Sequence, residues 1–376
     1  MAMRVLLWTD SDCFAGTERH CCDLADGLRQ LGVEVSVGCR EGSPLAQRVF
    51  AAGGAVELLD ASRFPMASIG RVQELMRSGA VDVVHAHNGV TAFLSAIARR
   101  NSRRGALVVS QHFISPARVG RRGLKKWITN LVHKFTERYV DQWVAVSNAV
   151  RDAMLAREDT DSSKVKVVHN GVPPPDSSEP DREASRAMLS IGRDERLLLC
   201  VARLEPEKGH LTMLNALSML QSERCAFRAV FLGGGSLRRS LEAQAQALGL
   251  SWRVEFLGQQ ENPNVWMRAA DALVLSSPLE PFGLVLPEAM SRGVAVVAAN
   301  AGGPQEIVGK DGGILFFPGD ARDLARKLFG VLENPESLRE VAEKGRNRWA
   351  SLFHSRAMAQ KMADVYLTLM ANGLRN

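Results

Sequence analysis

The feature that most constrains the fold is an alternation, carried through the chain twice, of short continuous apolar runs with longer amphipathic stretches. In the first half the runs are residues 4–8, 34–38, 81–85, 106–111, 143–147 and 165–168, with helical patterns over 17–31, 90–100 and 125–139 among them. Strands apolar on both faces and separated by helices predict a parallel sheet covered on both sides. Residues 173–180, rich in Pro, Ser and acids, break the pattern and read as a linker. The alternation restarts at 197–202 and continues through 229–233, 254–257, 272–275, 294–299 and 314–317. From about Ala321 the pattern is helical, with a break near 353–355 before a last amphipathic helix. The expected fold class is therefore α/β, two doubly wound parallel-sheet domains facing a cleft, since such sheets bind ligands beyond the C-terminal ends of their strands. The expected boundaries are 1–175, joined by a C-terminal helix over 355–376, and 185–354.

Composition narrows the classes. With 376 residues, 46% hydrophobic and 23% charged, each half can bury its own core. The longest apolar runs, such as 294–299, fall far short of the roughly 20 residues that cross a bilayer. The opening MAMRVLLWTDSD reads as a first buried strand rather than a signal peptide, because acids follow its short apolar stretch at once. The six cysteines form no CxxC pair, so neither a zinc knuckle nor a redox dithiol is supported, and reduced thiols in the cytoplasm are expected. The net charge of +6 favours anionic partners without choosing among them.

Three stretches carry candidate chemistry. After the first strand, Ala15-Gly16-Thr17-Glu18 opens a helix, where a glycine lets backbone N–H groups approach a phosphate; a plain turn glycine is the equal alternative. In VARLEPEKGH, Arg203 and Lys208 flank a strand end and a helix start, a pair that suits a diphosphate or, equally, two solvated cations beside Glu205 and Glu207. In EPFGLVLPE, Glu280 and Glu288 bracket a glycine turn, with backbone N–H groups at Phe282, Gly283 and Leu284. A carboxylate there can accept hydrogen bonds from vicinal hydroxyls of a ribose or hexose. An isolated pair of this kind reads as readily as an acidic first turn of a helix.

Taken in order, AGTE at 15–18, DVVHAHN at 82–88, SQHF at 110–113, VAVSNAVRD at 144–152, VVHNGV at 167–172, VARLEPEKG at 201–209, FLGGGSLR at 231–238, VEFLG at 254–258, EPFGLVLPEAMSRG at 280–293 and GGPQEIV at 302–308 resemble one large family. It is the retaining glycosyltransferases of the GT-B architecture, two Rossmann-like domains, numbered family four. The resemblance spans nearly the whole chain. It implies transfer of a hexose-type sugar from a nucleoside-diphosphate sugar, UDP favoured over GDP, to a glycan, lipid-linked or small-molecule acceptor. It also implies no metal and no cofactor beyond that co-substrate.

The resemblance further implies roles. Arg203 and Lys208 match the cations that hold the diphosphate, Glu288 the residue on the ribose hydroxyls, and Glu280 the one facing the transferred sugar. Gly16 matches the loop that closes over the phosphates and His112 the active-site histidine, as a hydrogen-bonding group rather than a general base. The base is expected near Gly234, within Gly233–Gly235, and near Gly258. Of His85 and His87, two apart, sequence does not say which reaches the site. Departures are few: Ala15 replaces the first glycine of the common pair, His169 a proline before Asn-Gly, and Pro281 follows Glu280.

Other readings are weaker. Asp10-Ser-Asp12 and Asp159-Thr-Asp161 spell DxD, a metal signature of the other glycosyltransferase fold, and are taken as coincidence. A nicotinamide-dependent oxidoreductase should show GxGxxG and an acid after the second strand, where Cys39-Arg40 stands. A sugar synthase or phosphorylase of the same family on a soluble acceptor stays open. No nucleic-acid partner is expected. The basic and aromatic stretch 118–131, RVGRRGLKKWITNL, suits peripheral contact with anionic lipid at the inner face of the membrane; a solvated helix edge packed on its own sheet is the alternative.

Overall fold

The computed structural model describes residues 3–115, 123–222 and 226–373. The chain divides into two compact units, changing from one to the other between Pro173 and Pro174 and back between Phe353 and His354. The first holds seven parallel strands, β1 (Arg4–Trp8), β2 (Glu34–Cys39), β3 (Ala55–Leu58), β4 (Val83–Ala86), β5 (Ala106–Gln111), β6 (Gln142–Ala145) and β7 (Val165–Val167), in the order 3-2-1-4-5-6-7. The second holds six, β8 (Leu197–Val201), β9 (Arg228–Leu232), β10 (Val254–Gly258), β11 (Ala272–Leu275), β12 (Ala295–Ala299) and β13 (Ile314–Phe316), in the order 10-9-8-11-12-13. Both are doubly wound, as the alternation predicts.

Strand order reverses between β1 and β4 and again between β8 and β11, and such switch points leave a crevice at the strand C-termini. Burial explains the regularity: β4, β6, β11 and β12 are buried at every residue, which only helices on both faces allow. β3 has no counterpart among the sequence runs, because AVEL lies at the sheet edge, half exposed, and never becomes a continuous apolar run. The run 143–147 ends two residues early, since the Ser147 side chain turns to cap the next helix, accepting the Val150 N–H at 3.1 Å. The expected break near 353–355 is a π-helical turn, Trp349–Phe353, followed by a helix over Ser355–Gly373.

That last helix belongs to the first unit. Met358, Ala359, Met362, Ala363, Val365 and Tyr366 join its core beside Leu24 and Leu28 of the helix Gly16–Gln30. The two helices approach closely because Gly27 lacks a side chain: a Cβ there would lie 2.7 Å from the Ala359 Cβ. Gly171 makes a similar contact, its would-be Cβ 2.7 Å from the Ser355 Cα. Gly27→Leu should therefore lower stability by about 1–3 kcal/mol through overpacking, although leucine is the better helix former. Urea unfolding checks this, and a midpoint equal to that of the parent protein would show that the helices separate without cost.

Candidate active site

In the first unit, the loop after β1 ends at Ala15 and the helix begins at Gly16, which is exposed. The Glu18 carboxylate is buried and accepts the Ala15 N–H at 3.0 Å, so the acid of AGTE closes the helix start instead of facing a ligand. Arg40, just after β2, gathers the neighbouring acids: it reaches Asp10 at 3.2 Å, Asp60 at 3.5 Å and Ser62 at 2.8 Å, and also pairs with Asp12. Asp159 pairs with Arg157 at 2.9 Å, and Asp161 accepts the Ser163 N–H at 2.8 Å. Both DxD triplets thus have local structural partners.

Beyond the ends of β4 and β5 stands a group of imidazoles. His87 Nδ1 lies 3.3 Å from His112 Nε2, and the His20 ring stands edge-on to both, inclined 61° to His87 at 5.3 Å and 71° to His112 at 5.0 Å. His20 and His87 are buried and His112 is half-buried. His85 sits one layer deeper, between Tyr366 Oη at 2.6 Å and Ser110 Oγ at 2.8 Å. Of the HxH pair it is therefore His87 that joins His112, while His85 ties β4 to β5 and the C-terminal helix. Neither ring nitrogen of His20, nor Nε2 of His87, finds a hydrogen-bond partner. Burial holds all four imidazoles neutral, pushing His85 down to about 3 and His112 to about 4, and drives His20 and His87 well below the ordinary range. Ring nitrogens of His20, His87 and His112 lie within 4.8 Å of one another, close enough in principle to hold a metal ion. Sequence reasoning passes over His20; its one trace is its place four residues after Gly16, on the helix face turned to the sheet.

The second unit builds its site on glycine-only contacts. Lys208 ends a 3₁₀ turn after β8, and Gly209, at φ +65°, has its would-be Cβ 2.3 Å from the Ser276 carbonyl oxygen just beyond β11. Lys208 Nζ thereby reaches Glu280 Oε2 at 2.7 Å, in an ion pair whose side chains are only 19% and 11% exposed. Glu280 is fixed from the other side, its carbonyl accepting the Gly303 N–H at 2.9 Å, with the would-be Cβ of Gly302 2.2 Å from that oxygen. Arg203 is exposed and paired with Glu207 at 2.7 Å. The helix expected directly after Lys208-Gly209 starts at His210, whose Nε2 meets the Arg203 carbonyl at 2.8 Å and steadies the strand end.

The remaining candidates fall nearby. Gly283 takes φ +93°, and the Phe282 ring is buried against Phe353, so residue 282 can offer a ligand only its backbone. Leu284 and Glu288 are half-buried in and just before the short helix Val285–Ser291. The loop after β9 is clamped, with the Glu205 carboxylate accepting both the Ser236 N–H at 2.9 Å and its hydroxyl at 2.6 Å. Gly233 and Gly235 press on the Ala202 and Leu204 carbonyls, whereas a Cβ on Gly234 would meet nothing within 4 Å. Gly258, at φ +72°, accepts the Gly233 N–H at 2.8 Å. The structure therefore brings Arg203, Lys208, Gly234, Gly258, Glu280 and Glu288 to the strand C-termini of one unit, and Gly16 and His112 to those of the other.

Comparison with known proteins decides the family. Residues 181–348 match the model for glycosyl transferases group 1, and residues 14–175 that for glycosyltransferase family 4. A D-inositol 3-phosphate glycosyltransferase of a Nocardioides species is 32% identical over 322 residues, covering 79% of this chain and 69% of that protein. The chain belongs to the group 1, family 4 glycosyltransferases. The glycosyltransferase of the same name from Thermobispora bispora is 28% identical over 388 residues, covering 93% and 89% of the two chains. Among solved structures, Anabaena Alr3699/HepE in complex with UDP and glucose aligns with a TM-score of 0.82 at 24% identity, covering 96% of this chain and 99% of that one. Sucrose-phosphate synthase from Thermosynechococcus elongatus aligns with a TM-score of 0.78 at 22% identity, over 98% and 100%. The fold is accordingly the GT-B glycosyltransferase architecture.

The histidine group of this glycosyltransferase makes acid stability testable. These imidazoles are neutral when folded, with depressed pKa values, so below about pH 6.5 the unfolded chain binds more protons than the folded one. Their contribution is complete above that pH and is lost as pH falls, toward about 4 for His112 and about 3 for His85. The urea midpoint should drop between about pH 7.5 and about pH 5, before most carboxylates titrate. An unchanged midpoint would mean that the rings protonate without unfolding.

Proposed function

We propose that this glycosyltransferase transfers a hexose from a nucleoside-diphosphate sugar, with UDP as the preferred nucleotide, and keeps the configuration of the anomeric carbon. The observation that carries this is the largely buried Lys208–Glu280 pair at 2.7 Å, with the exposed Arg203, paired to Glu207, five residues before Lys208. A cation suited to phosphate and a carboxylate suited to sugar hydroxyls are held at hydrogen-bonding distance, so one diphosphate-linked sugar can engage both. The preference for UDP is supported by the Anabaena protein of like fold, whose structures hold UDP and UDP-glucose.

In this reading Arg203 turns from Glu207 to the diphosphate, Lys208 bridges phosphate and Glu280, and Glu288 takes the ribose hydroxyls. The base lies over Gly234 between the Glu205–Ser236 clamp and Gly258. As the glycosidic bond to the diphosphate lengthens, negative charge grows on the leaving oxygen, where Arg203 and Lys208 stabilise it without a metal. Gly16 approaches the phosphates and His112 hydrogen-bonds the transferred sugar. No carboxylate nucleophile is required, in contrast to a retaining hydrolase. Calorimetric titration with UDP, GDP, ADP and NAD in EDTA tests the reading. UDP should bind, and Lys208→Ala should weaken it by about 10-fold or more, the worth of one charge-assisted contact. Binding of NAD alone would overturn the proposal.

For the acceptor we propose a lipid-linked or envelope molecule met at an anionic membrane surface. On the helix Gly123–Tyr139, Leu124, Trp127, Ile128 and Leu131 follow the i, i+3, i+4, i+7 stripe of a buried face, yet they are 71%, 63%, 46% and 55% exposed. Lys125 and Lys126 stand among them. That these four side chains stand exposed supports the membrane reading over the one in which this face packs on its own sheet. The other basic residues of the stretch, Arg118, Arg121 and Arg122, lie outside the described residues. Among the described residues no helix is long and apolar enough to cross a membrane. Sedimentation with phosphatidylglycerol vesicles should carry the protein down, and the combined Lys125→Glu, Lys126→Glu, Trp127→Ser variant should stay in solution. Equal partitioning of the two would sink the membrane reading.

A further inference from the structure

The histidine group does more than place His112 at the strand ends, and its further role rests on the proposal that His112 contacts the transferred sugar. A neutral imidazole carries one N–H and one lone pair, so in the contact of His87 Nδ1 with His112 Nε2, 3.3 Å apart, one ring donates and the other accepts. The rest of His87 decides which. Its Nε2 is buried without a partner, in a side chain only 1% exposed. If His87 accepted at Nδ1, its proton would sit on Nε2 as an orphaned buried N–H. If it donates, Nε2 keeps only an unused lone pair, and a buried orphan donor is the rarer of the two.

We infer that His87 is a positioning residue that fixes the tautomer of His112: it donates from Nδ1–H to His112 Nε2, so that His112 carries its own proton on Nδ1. His112 Nδ1 is taken up by no other hydrogen bond among the described residues. His112 therefore presents an N–H donor, and its one basic nitrogen is already engaged. It hydrogen-bonds an oxygen of the sugar and cannot serve as a general base. The surroundings support this assignment. The ionisable groups that bear on His87 are His20, His85 and His112, all held neutral, and among the described residues no carboxylate draws a proton onto Nε2. His20 contributes by packing, its ring edge-on to both others, and His85 holds the strand ends in register through Ser110 and Tyr366. The nitrogen a histidine offers its substrate is set by the bond its other nitrogen makes.

The test is nitrogen-15 NMR of the full chain labelled at histidine, with His112 assigned by its loss in His112→Gln. The parent protein should show His112 protonated at Nδ1, and His87→Leu should shift it toward the Nε2–H form. His87→Asn, whose side-chain amide can stand where Nδ1 stood, should restore the Nδ1–H form. In transfer assays with UDP-glucose, and with water as acceptor if no other is known, His87→Leu should lower kcat by about 10- to 100-fold while changing the donor KM by less than about threefold. His87→Asn should recover most of that loss, and circular dichroism separates the effect from misfolding. Protonation of His112 at Nε2 in the parent protein overturns the inference, as does a His87→Leu loss that His87→Asn does not relieve. The tautomer measurement needs no substrate, so failure of the transferase reading would show separately, as absence of any nucleotide binding.

Discussion

The donor-side candidate site depends on backbone touching backbone at the C-terminal ends of β8 and β11. Gly209 lies against the Ser276 carbonyl, Gly302 against that of Glu280, Gly233 against that of Ala202 and Gly235 against that of Leu204. At each, a Cβ would sit 2.1–2.4 Å from a carbonyl oxygen, a distance no side chain tolerates. These contacts draw together the four loops that follow β8, β9, β11 and β12, so that the Lys208–Glu280 pair forms across 72 residues of sequence. Removing two charges from water costs several kcal/mol, and such a pair is weak evidence for stability. It is better understood as a charge arrangement held ready for a ligand, by loops whose position the glycines have already determined.

The first unit solves a different problem. Its candidate site is made of neutral imidazoles placed at the ends of buried parallel strands, where water cannot satisfy them. Three ring nitrogens stay without partners, a cost usually found where structure serves a ligand instead of stability. The cost is met by the core beneath, in which the C-terminal helix packs through Gly27 and supplies Tyr366 to His85. A helix from the far end of the chain thus sets how β4 and β5 present His87 and His112.

Much of this was legible in the sequence because parallel strands buried on both faces leave continuous apolar runs. The edge strand β3 escaped for the same reason, having no such run. Glu280 and Lys208 were readable as motif members, but their pairing was not, since it depends on glycines whose contacts lie far away in sequence. Phe282 reads as offering its backbone N–H, and its ring belongs to the core. His20 and the Glu205–Ser236 clamp were illegible: a histidine on an apolar helix face, or a glutamate among other acids, has no sequence signature that separates a site residue from a surface one. Helix 123–139 shows the reverse case, its stripe plain in the sequence while only coordinates reveal that the stripe faces solvent.

The two candidate sites differ in charge. The second unit concentrates fixed cations and carboxylates, suited to a diphosphate whose charge is present before and during reaction. The first offers neutral hydrogen-bonding groups at the described strand ends of β4 and β5, with Arg40 occupied by Asp10, Asp12 and Asp60. In the proposed transfer, neutral groups suit a sugar that gains positive character in the transition state, because a protonated imidazole beside it would repel it. Holding His112 well below its usual pKa, with its basic nitrogen engaged by His87 as inferred above, keeps the group polar without giving it charge or basicity. On the proposed function, burial of the histidines serves the chemistry as much as it results from packing.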